Sequence, residues 1–565
     1  MGNPFKKYRG VYTPAQRKQN RKNLLLGMFS GVLLGLAFPP FHFTLLIFVG
    51  MIPYFIVLQK KEGLAEINRF TYFTFFIFNL ITIYWVGSWT KNADPFLEIA
   101  GSVLMFFNPL LFLIPSTLYY FTKKIFNRNI ALFLFPLFWV TYEYAYSVTD
   151  FRFPWLTLGN SLPYFKQFIQ IADIVGVYGL TLFIIYINIF FYNGLKNIFT
   201  NKSKSVVYFA GGIVLFLMPL VYGIVKINTF EISNTNIKIG LVQPNFDPTN
   251  KWDGGSLDKQ LETYLSLSRK AIKQGAEIIA WPETALPVYL LDGNYYSQVQ
   301  KIYSFCDSNN VALITGMPDA NFYFHKEDAP QDAKPTGDGK ILYTSYNSTL
   351  MFSPHTYKIQ KYHKIKLVPF GEKVPLVESF PWLADIIKWN VGISGWNTGK
   401  DTVVFNLNSS FIKDTAKTLP QNINIAGIIC IESIYPGFVA AFVNKGANII
   451  LVVTNDSWYG DSSGPYQHKE ISVLRAVENR RSVVRAANGG ISCLIDPLGN
   501  TISETKMFTK TELTVAAPLQ KNKTFYTKHP LLIPYFADII SILIILIFYA
   551  KQIFNFIERR KGKKL

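Results

Sequence analysis

The chain has only three cysteines, Cys306, Cys430 and Cys493, in 565 residues. Their number and wide separation exclude a disulfide framework and a cysteine-based zinc cluster. Charge is scarce as well: Asp, Glu, Lys and Arg make up 16% of the residues, against about 25% in ordinary soluble domains. Hydrophobic residues reach 50%, aromatics 16% and mean hydropathy +0.19, which points away from a wholly soluble protein. There is no Gly-x-Gly-x-x-Gly segment, no P-loop and no internal repeat, so nucleotide binding has no support.

What the chain has instead is long apolar runs. Seven lie in the first part, near residues 24–38, 43–58, 70–89, 99–121, 130–148, 171–192 and 206–225, and an eighth covers 531–550. Several approach the ~20 residues needed to cross a bilayer, and the first two fit a helical hairpin turning at Pro39, Pro40 and Phe41. The first run is not expected to be a secretory signal, since it follows a long polar stretch and Pro39 and Pro40 stand where a small-residue cleavage site would be. Lys6 occupies the Ser/Thr position of a myristoylation motif, so lipidation there is not expected either.

The formal charge of +20 would suit nucleic acid in a soluble protein. Here it is confined: nearly all of the excess lies before the first run, in the even-numbered loops and after the last run. Odd-numbered loops, with Lys91, Arg152 and Asp94 among their few charges, are close to neutral. By the positive-inside rule this predicts eight spans with both termini cytoplasmic, and no nucleic-acid partner. The division is then a basic tail over 1–22, seven spans over 23–226, an extracytoplasmic domain over 227–525, a final span over 526–550 and a second basic tail over 551–565.

The stretch 227–525 reads as α/β. Strands are predicted over 237–242, 277–281, 311–316, 347–352, 425–430, 449–454, 483–487 and 492–495, with helices over 256–274 and 467–481 and a long surface loop over 319–338. Several strand ends finish on reactive residues: Trp281-Pro282-Glu283-Thr284, Ile429-Cys430-Ile431-Glu432 and Thr454-Asn455-Asp456. Strand carboxyl ends are where open α/β sheets place ligands. A fourth element, from Tyr362-His363-Lys364 to Val368-Pro369-Phe370-Gly371-Glu372, adds cations and an acid.

In order and spacing, these segments resemble the Glu, Lys and Cys motifs of the nitrilase, or carbon-nitrogen hydrolase, superfamily. Leu241 to Asn245, Trp252, Phe153-Pro154-Trp155-Leu156, Thr454 to Gly460, Gln467-His468 and Arg485 to Gly489 resemble more narrowly the apolipoprotein N-acyltransferase family, as does the arrangement of spans. The resemblance implies an integral membrane helical bundle carrying an α-β-β-α sandwich. It implies Cys430 as nucleophile, Glu283 as general base and Lys364 as the cation steadying the tetrahedral intermediate, with Glu372 and Glu432 in support and Trp252 at the acyl pocket. These types fit the chemistry, because a thiol needs a base or a cation to react at neutral pH and an ammonium stabilises an oxyanion. Ile431 departs from the Tyr usual in the family, while Cys306 and Cys493 read as packing residues.

The implied reaction moves an acyl chain from a membrane phospholipid, through a Cys430 thioester, to the α-amine of a diacylglyceryl apolipoprotein, with no cofactor and no metal. The implied location is the bacterial inner membrane with the catalytic domain periplasmic. Two rivals remain open on the residues alone. One is a membrane-tethered amidase or nitrilase using the same three groups on a small substrate. The other is a transporter built on the ionisable Glu143 and Asp173 within predicted spans.

Overall fold

The structure is a computed structural model and describes residues 13–88, 95–248, 256–373, 375 and 376, 395–412 and 419–562. Trp252 lies outside the described residues. Each apolar run is wholly or largely helical: α1 (Pro14–Leu36), α2 (Ile52–Leu58), α3 (Leu64–Thr82), α4 (Pro95–Leu111), α5 (Leu113–Ile125), α6 (Arg128–Val148), α7 (Ala172–Asn197), α8 (Lys202–Thr229) and, at the far end, Leu532–Gly562. Among the described residues four helices are long and apolar enough to cross a membrane: Leu97–Ile125, Ala172–Asn197, Lys202–Thr229 and Leu532–Arg559. The second run is a 3-10 turn, Thr44–Phe48, followed by the short α2. The outward faces of the long helices are apolar, as with Val214, Val221, Ile539 and Leu546, which is what a lipid environment selects.

The intervening domain has two sheets. The first runs β13-β1-β2-β3-β5-β4 with β6 paired to β5: β1 (Asn236–Gln243), β2 (Ile278–Trp281), β3 (Ala312–Tyr323), β4 (Lys334–Pro335), β5 (Leu342–Phe352), β6 (Gln360–His363) and β13 (Thr511–Pro518). The second runs β12-β11-β10-β9-β8-β7: β7 (Val404–Asn408), β8 (Asn422–Ile429), β9 (Ile449–Thr454), β10 (Ser482–Ala487), β11 (Cys493–Ile495) and β12 (Thr501–Glu504). Alternation decides the layers. Ile237, Ile239 and Leu241 enter the core shared with the second sheet, while Val242, Ile279, Trp281 and Leu313 pack under the outer helices α9 (Leu257–Lys273) and α10 (Tyr296–Asn309). The second sheet carries α11 (Pro436–Asn444) and α12 (Ser463–Asn479), completing the α-β-β-α order.

Helix α12 positions the site. All of its residues except the half-buried Tyr466 are buried, since it lies against β10 and β11 on one side and α7 on the other. Glu478 accepts from the Val177 N–H at 2.9 Å, and Arg480 donates to Asp173 at 2.9 Å, joining the domain to the helical region. At the same junction Gly176 has φ +63° and its Cα faces the Tyr526 ring so closely that any side chain would overlap it.

Two expectations are corrected. The surface loop predicted over 319–338 begins as a strand, because β3 continues to Tyr323 in antiparallel register with β5 and β4 adds a short pairing later. Strand β8 stops at Ile429, so Cys430 starts a 3-10 turn, Cys430–Ile434, rather than ending the strand. Strands β6, β7, β12 and β13 were not predicted. β7, β12 and β13 are only partly buried, with polar residues interrupting the apolar ones, while β6 (Gln360–His363) lies in a segment read only as a source of cations and an acid.

Candidate active site

Glu283, Lys364 and Cys430 come from three separate elements and meet at one end of the sandwich. Glu283 follows β2. Its backbone lies against β3, where Ala285 donates to the Gly316 carbonyl at 2.7 Å, and a Cβ on Gly316 would strike the Glu283 Cα. Lys364 follows β6 and its N–H donates to the Asn347 carbonyl at 2.8 Å. Cys430 leaves β8 with φ +50°, a left-handed backbone that turns its side chain off the strand.

The Lys364 ammonium is fully buried. Its Nζ lies 3.1 Å from Glu283 Oε1 and 2.9 Å from Glu372 Oε1. Burial alone would push its pKa down, but Glu283, Glu372 and Cys430 together hold it well above the ordinary lysine value, so it stays charged. Burial pushes the Cys430 thiol well above its ordinary value; Glu283 adds to this and Lys364 opposes it. Cys430 is therefore a neutral thiol beside a carboxylate and an ammonium.

Glu372 and Glu432 are both buried rather than surface carboxylates. Glu372 binds Lys364 through Oε1 and accepts from the Val368 N–H at 2.9 Å through Oε2. Glu432 Oε1 accepts from the Tyr362 hydroxyl at 2.7 Å, Ile365 N–H at 2.7 Å and Lys366 N–H at 3.0 Å, while Oε2 accepts from Ile429 N–H at 3.0 Å. One carboxylate thus ties the lysine loop to the cysteine turn. Burial pushes its own pKa up.

Sequence reasoning missed several residues here. Asn347 Nδ2 donates to both Glu283 Oε1 and Glu372 Oε1 at 2.8 Å, fixing the two carboxylates relative to one another; its signal was an amide inside an otherwise core-facing strand. Asp456, His468 and Arg485 had been noted only within motifs. His468 Nδ1 lies 2.7 Å from Asp456 Oδ1, and Arg485 Nη2 donates to Asp456 Oδ2 at 3.0 Å. Thiol, carboxylate and imidazole ligand atoms of Cys430, Asp456 and His468 fall within 4.8 Å of one another, but the carboxylate and imidazole are already engaged with each other.

Cys430 opens on a cavity of about 430 Å³. Its wall is almost wholly apolar and includes Trp85, Leu104, Phe107, Phe153, Trp155 and Ile431. Ile99 and Val103 of α4 line it while being 59% and 54% exposed on the outer face of the bundle, so the cavity reaches that face along α4. The Phe153-Pro154-Trp155-Leu156 segment supplies stacked rings, Phe153 on Trp155 at 5.3 Å. Glu143 and Asp173 stand away from it. Glu143 accepts from Trp139 Nε1, Leu158 N–H and Thr181, and Asp173 pairs with Arg480 and Tyr222, which makes both of them structural partners. Cys306 and Cys493 are buried packing residues.

The carbon-nitrogen hydrolase family pattern matches residues 238–524, and the apolipoprotein N-acyltransferase N-terminal domain pattern matches residues 30–190. The chain is 33% identical over 535 residues to the apolipoprotein N-acyltransferase of Chlorobaculum tepidum, covering 93% of this chain and 96% of that one. It is 30% identical to the apolipoprotein N-acyltransferase of Geobacter metallireducens, covering 92% and 94%. Among solved structures, an amidase from Nesterenkonia sp. matches 53% of this chain and 94% of its own at 16% identity, with a TM-score of 0.36.

Proposed function

The chain belongs to the apolipoprotein N-acyltransferase family, and we propose that its N-acylation of lipoproteins runs through a thioester on Cys430. The observation that carries this reading is the apolar cavity that joins Cys430 to the lipid-facing side of α4.

In the first half-reaction the Cys430 thiol gives its proton to Glu283 as Sγ attacks a phospholipid ester carbonyl. The resulting oxyanion is balanced by the Lys364 ammonium. Collapse breaks the ester C–O bond, the leaving alkoxide takes the proton back from Glu283, and a lysophospholipid departs. In the second, the α-amine of the diacylglyceryl-cysteine attacks the thioester carbonyl and its proton passes to Glu283. The C–S bond then breaks, the amide remains, and the proton returns to sulfur. Acid and base are the same carboxylate, and the Lys364 charge serves both tetrahedral states. Glu372 and Asn347 hold that carboxylate and that ammonium in register.

The positive-inside asymmetry supports eight spans, with both termini cytoplasmic and the domain over 227–525 on the periplasmic face of the inner membrane. Donor and acceptor are both anchored in that leaflet, so a nucleophile held against it meets them at high effective concentration. A small-amide hydrolase has no use for such a cavity. Intact mass analysis of the full-length protein incubated with phospholipid tests the reading: one acyl adduct is expected on Cys430 and none in Cys430→Ala. Transfer to a diacylglyceryl-peptide that persists in Cys430→Ala would overturn it.

A further inference from the structure

The reaction above uses the Cys430 side chain, whereas the backbone that aims it is in an unfavourable region. A φ of +50° is costly for any residue with a Cβ, so surrounding contacts must hold it. They converge on the Cys430 carbonyl. Ser433 Oγ donates to that oxygen at 2.8 Å, and His468 Nε2 lies 3.2 Å from it and 2.8 Å from Ser433 Oγ.

Behind the imidazole stands a fixed carboxylate. Burial alone would raise the Asp456 pKa, but His468 and Arg485 hold it below the ordinary aspartate value. As an ionised group Asp456 only accepts, so His468 Nδ1–H is the donor across the 2.7 Å contact; Ser433 spends its one proton on the Cys430 carbonyl, so Nε2 bonds that carbonyl as a second N–H donor, an imidazolium paired with the Asp456 carboxylate. Thr454 Oγ1 and Arg485 Nη2 each reach Asp456 at 3.0 Å, and Arg485 Nη1 donates to Ser472 Oγ at 2.9 Å. His468, Asp456 and Arg485 are 2%, 4% and 0% exposed. The preceding residue, Gln467, donates to the Pro39 and Thr82 carbonyls and accepts from the Trp85 and Trp155 indoles. The same turn of α12 is thereby pinned to the wall of the lipid cavity.

We propose that His468, oriented by Asp456 and Arg485, is a positioning residue that acts with Ser433 on the Cys430 carbonyl to hold the nucleophile's left-handed backbone, and so the direction of its Sγ during thioester formation. The inference rests on Cys430 being the nucleophile. Both nitrogens of His468 are engaged, one by Asp456 and the other by the Ser433 hydroxyl and the cysteine carbonyl, so the imidazole works on the backbone and leaves the proton transfers to Glu283.

The test uses the full-length protein in phospholipid-containing micelles, following Cys430 thioester formation by intact mass in a single turnover. His468→Ala is expected to slow it about a hundredfold with the phospholipid KM within about threefold of wild type, as a misaimed nucleophile behaves. His468→Gln, whose amide N–H can still reach the carbonyl, should recover about tenfold of that loss. Ser433→Ala combined with His468→Ala should be no slower than His468→Ala alone by more than about twofold, since both act through one carbonyl. Unfolding midpoints are recorded for each variant. Thioester formation at the wild-type rate in His468→Ala, losses that multiply in the double variant, or losses that track unfolding and are not recovered by Gln would overturn the proposal. Persistence of transfer in a Cys430→Ala control would instead overturn the thioester reading on which it rests.

Discussion

Lys364 Nζ lies 3.1 Å from Glu283 Oε1 with both groups out of solvent, and the two charges act in opposite directions on the buried cysteine beside them. Burial pushes the Cys430 thiol up, the Glu283 charge pushes it further, and Lys364 pulls it down. Glu283→Gln removes the second effect and leaves the third. The thiolate fraction at about pH 8 should therefore rise, and iodoacetamide should modify Cys430 faster than in wild type. Acyl transfer should fall by about a hundredfold or more, because the proton acceptor is gone. Cys306 and Cys493, each pushed up to about 12 by burial, should stay unmodified. Parallel loss of both reactivities would contradict this assignment.

Glu432 accepts four hydrogen bonds from two loops. Glu432→Gln keeps the volume but places an NH₂ group where only acceptors fit, so at least one buried N–H loses its partner, at about 1–3 kcal/mol. The expected outcome is a lower unfolding midpoint together with a reduced kcat, because the Lys364 loop and the Cys430 turn are no longer tied. Thermal unfolding and steady-state transfer on the same variant check it. An unchanged midpoint would show that Glu432 is not holding the loops.

The strands β1, β2, β8, β9 and β10 were legible because they are apolar runs buried on nearly every residue, and a parallel strand covered on both faces has that appearance. Strand β12, with half-buried and exposed positions alternating and three polar residues in four, had no such signature. Glu283 and Cys430 were legible as motifs at strand ends, and Lys364 as a cation in a separate loop motif. The contacts among Asp456, His468 and Arg485 were not, since they depend on β8, β9 and β10 being neighbours and on α12 crossing them. The cavity was still less accessible to such reading. It is assembled from single residues between Trp85 and His468, and no periodicity in a chain marks a shared empty volume.

Glu478 predicts a pH dependence. Burial pushes its carboxyl up to about 7 against the pull of Arg475 and the Val177 N–H. A carboxyl raised on folding binds its proton more tightly in the native state. Its contribution is complete below the ordinary value of 4.5 and is lost as pH rises through about 7. The unfolding midpoint of the detergent-solubilised protein should thus fall between about pH 5 and about pH 8, and Glu478→Gln should flatten that slope. A slope of opposite sign, or one that Glu478→Gln leaves intact, would rule Glu478 out as its source.

Val103 offers a test of the cavity that spares the catalytic groups. It lines the cavity from α4 yet is 54% exposed on the outer face of the bundle, so a larger side chain there can be tolerated without overpacking the core. Val103→Trp should narrow the route from the lipid side to Cys430. Discrimination of this kind is worth about 1–3 kcal/mol in an apolar pocket, so donors with long acyl chains should lose about tenfold or more in kcat/KM. Iodoacetamide has no chain to thread, and its rate with Cys430 should be unchanged. Val221→Trp on the exposed face of α8, a residue outside the cavity lining, serves as the control and should alter neither rate. Equal effects of the two tryptophans would mean that the donor reaches Cys430 by another path, whereas loss confined to Val103→Trp and to long-chain donors identifies α4 as the wall past which the acyl chain enters.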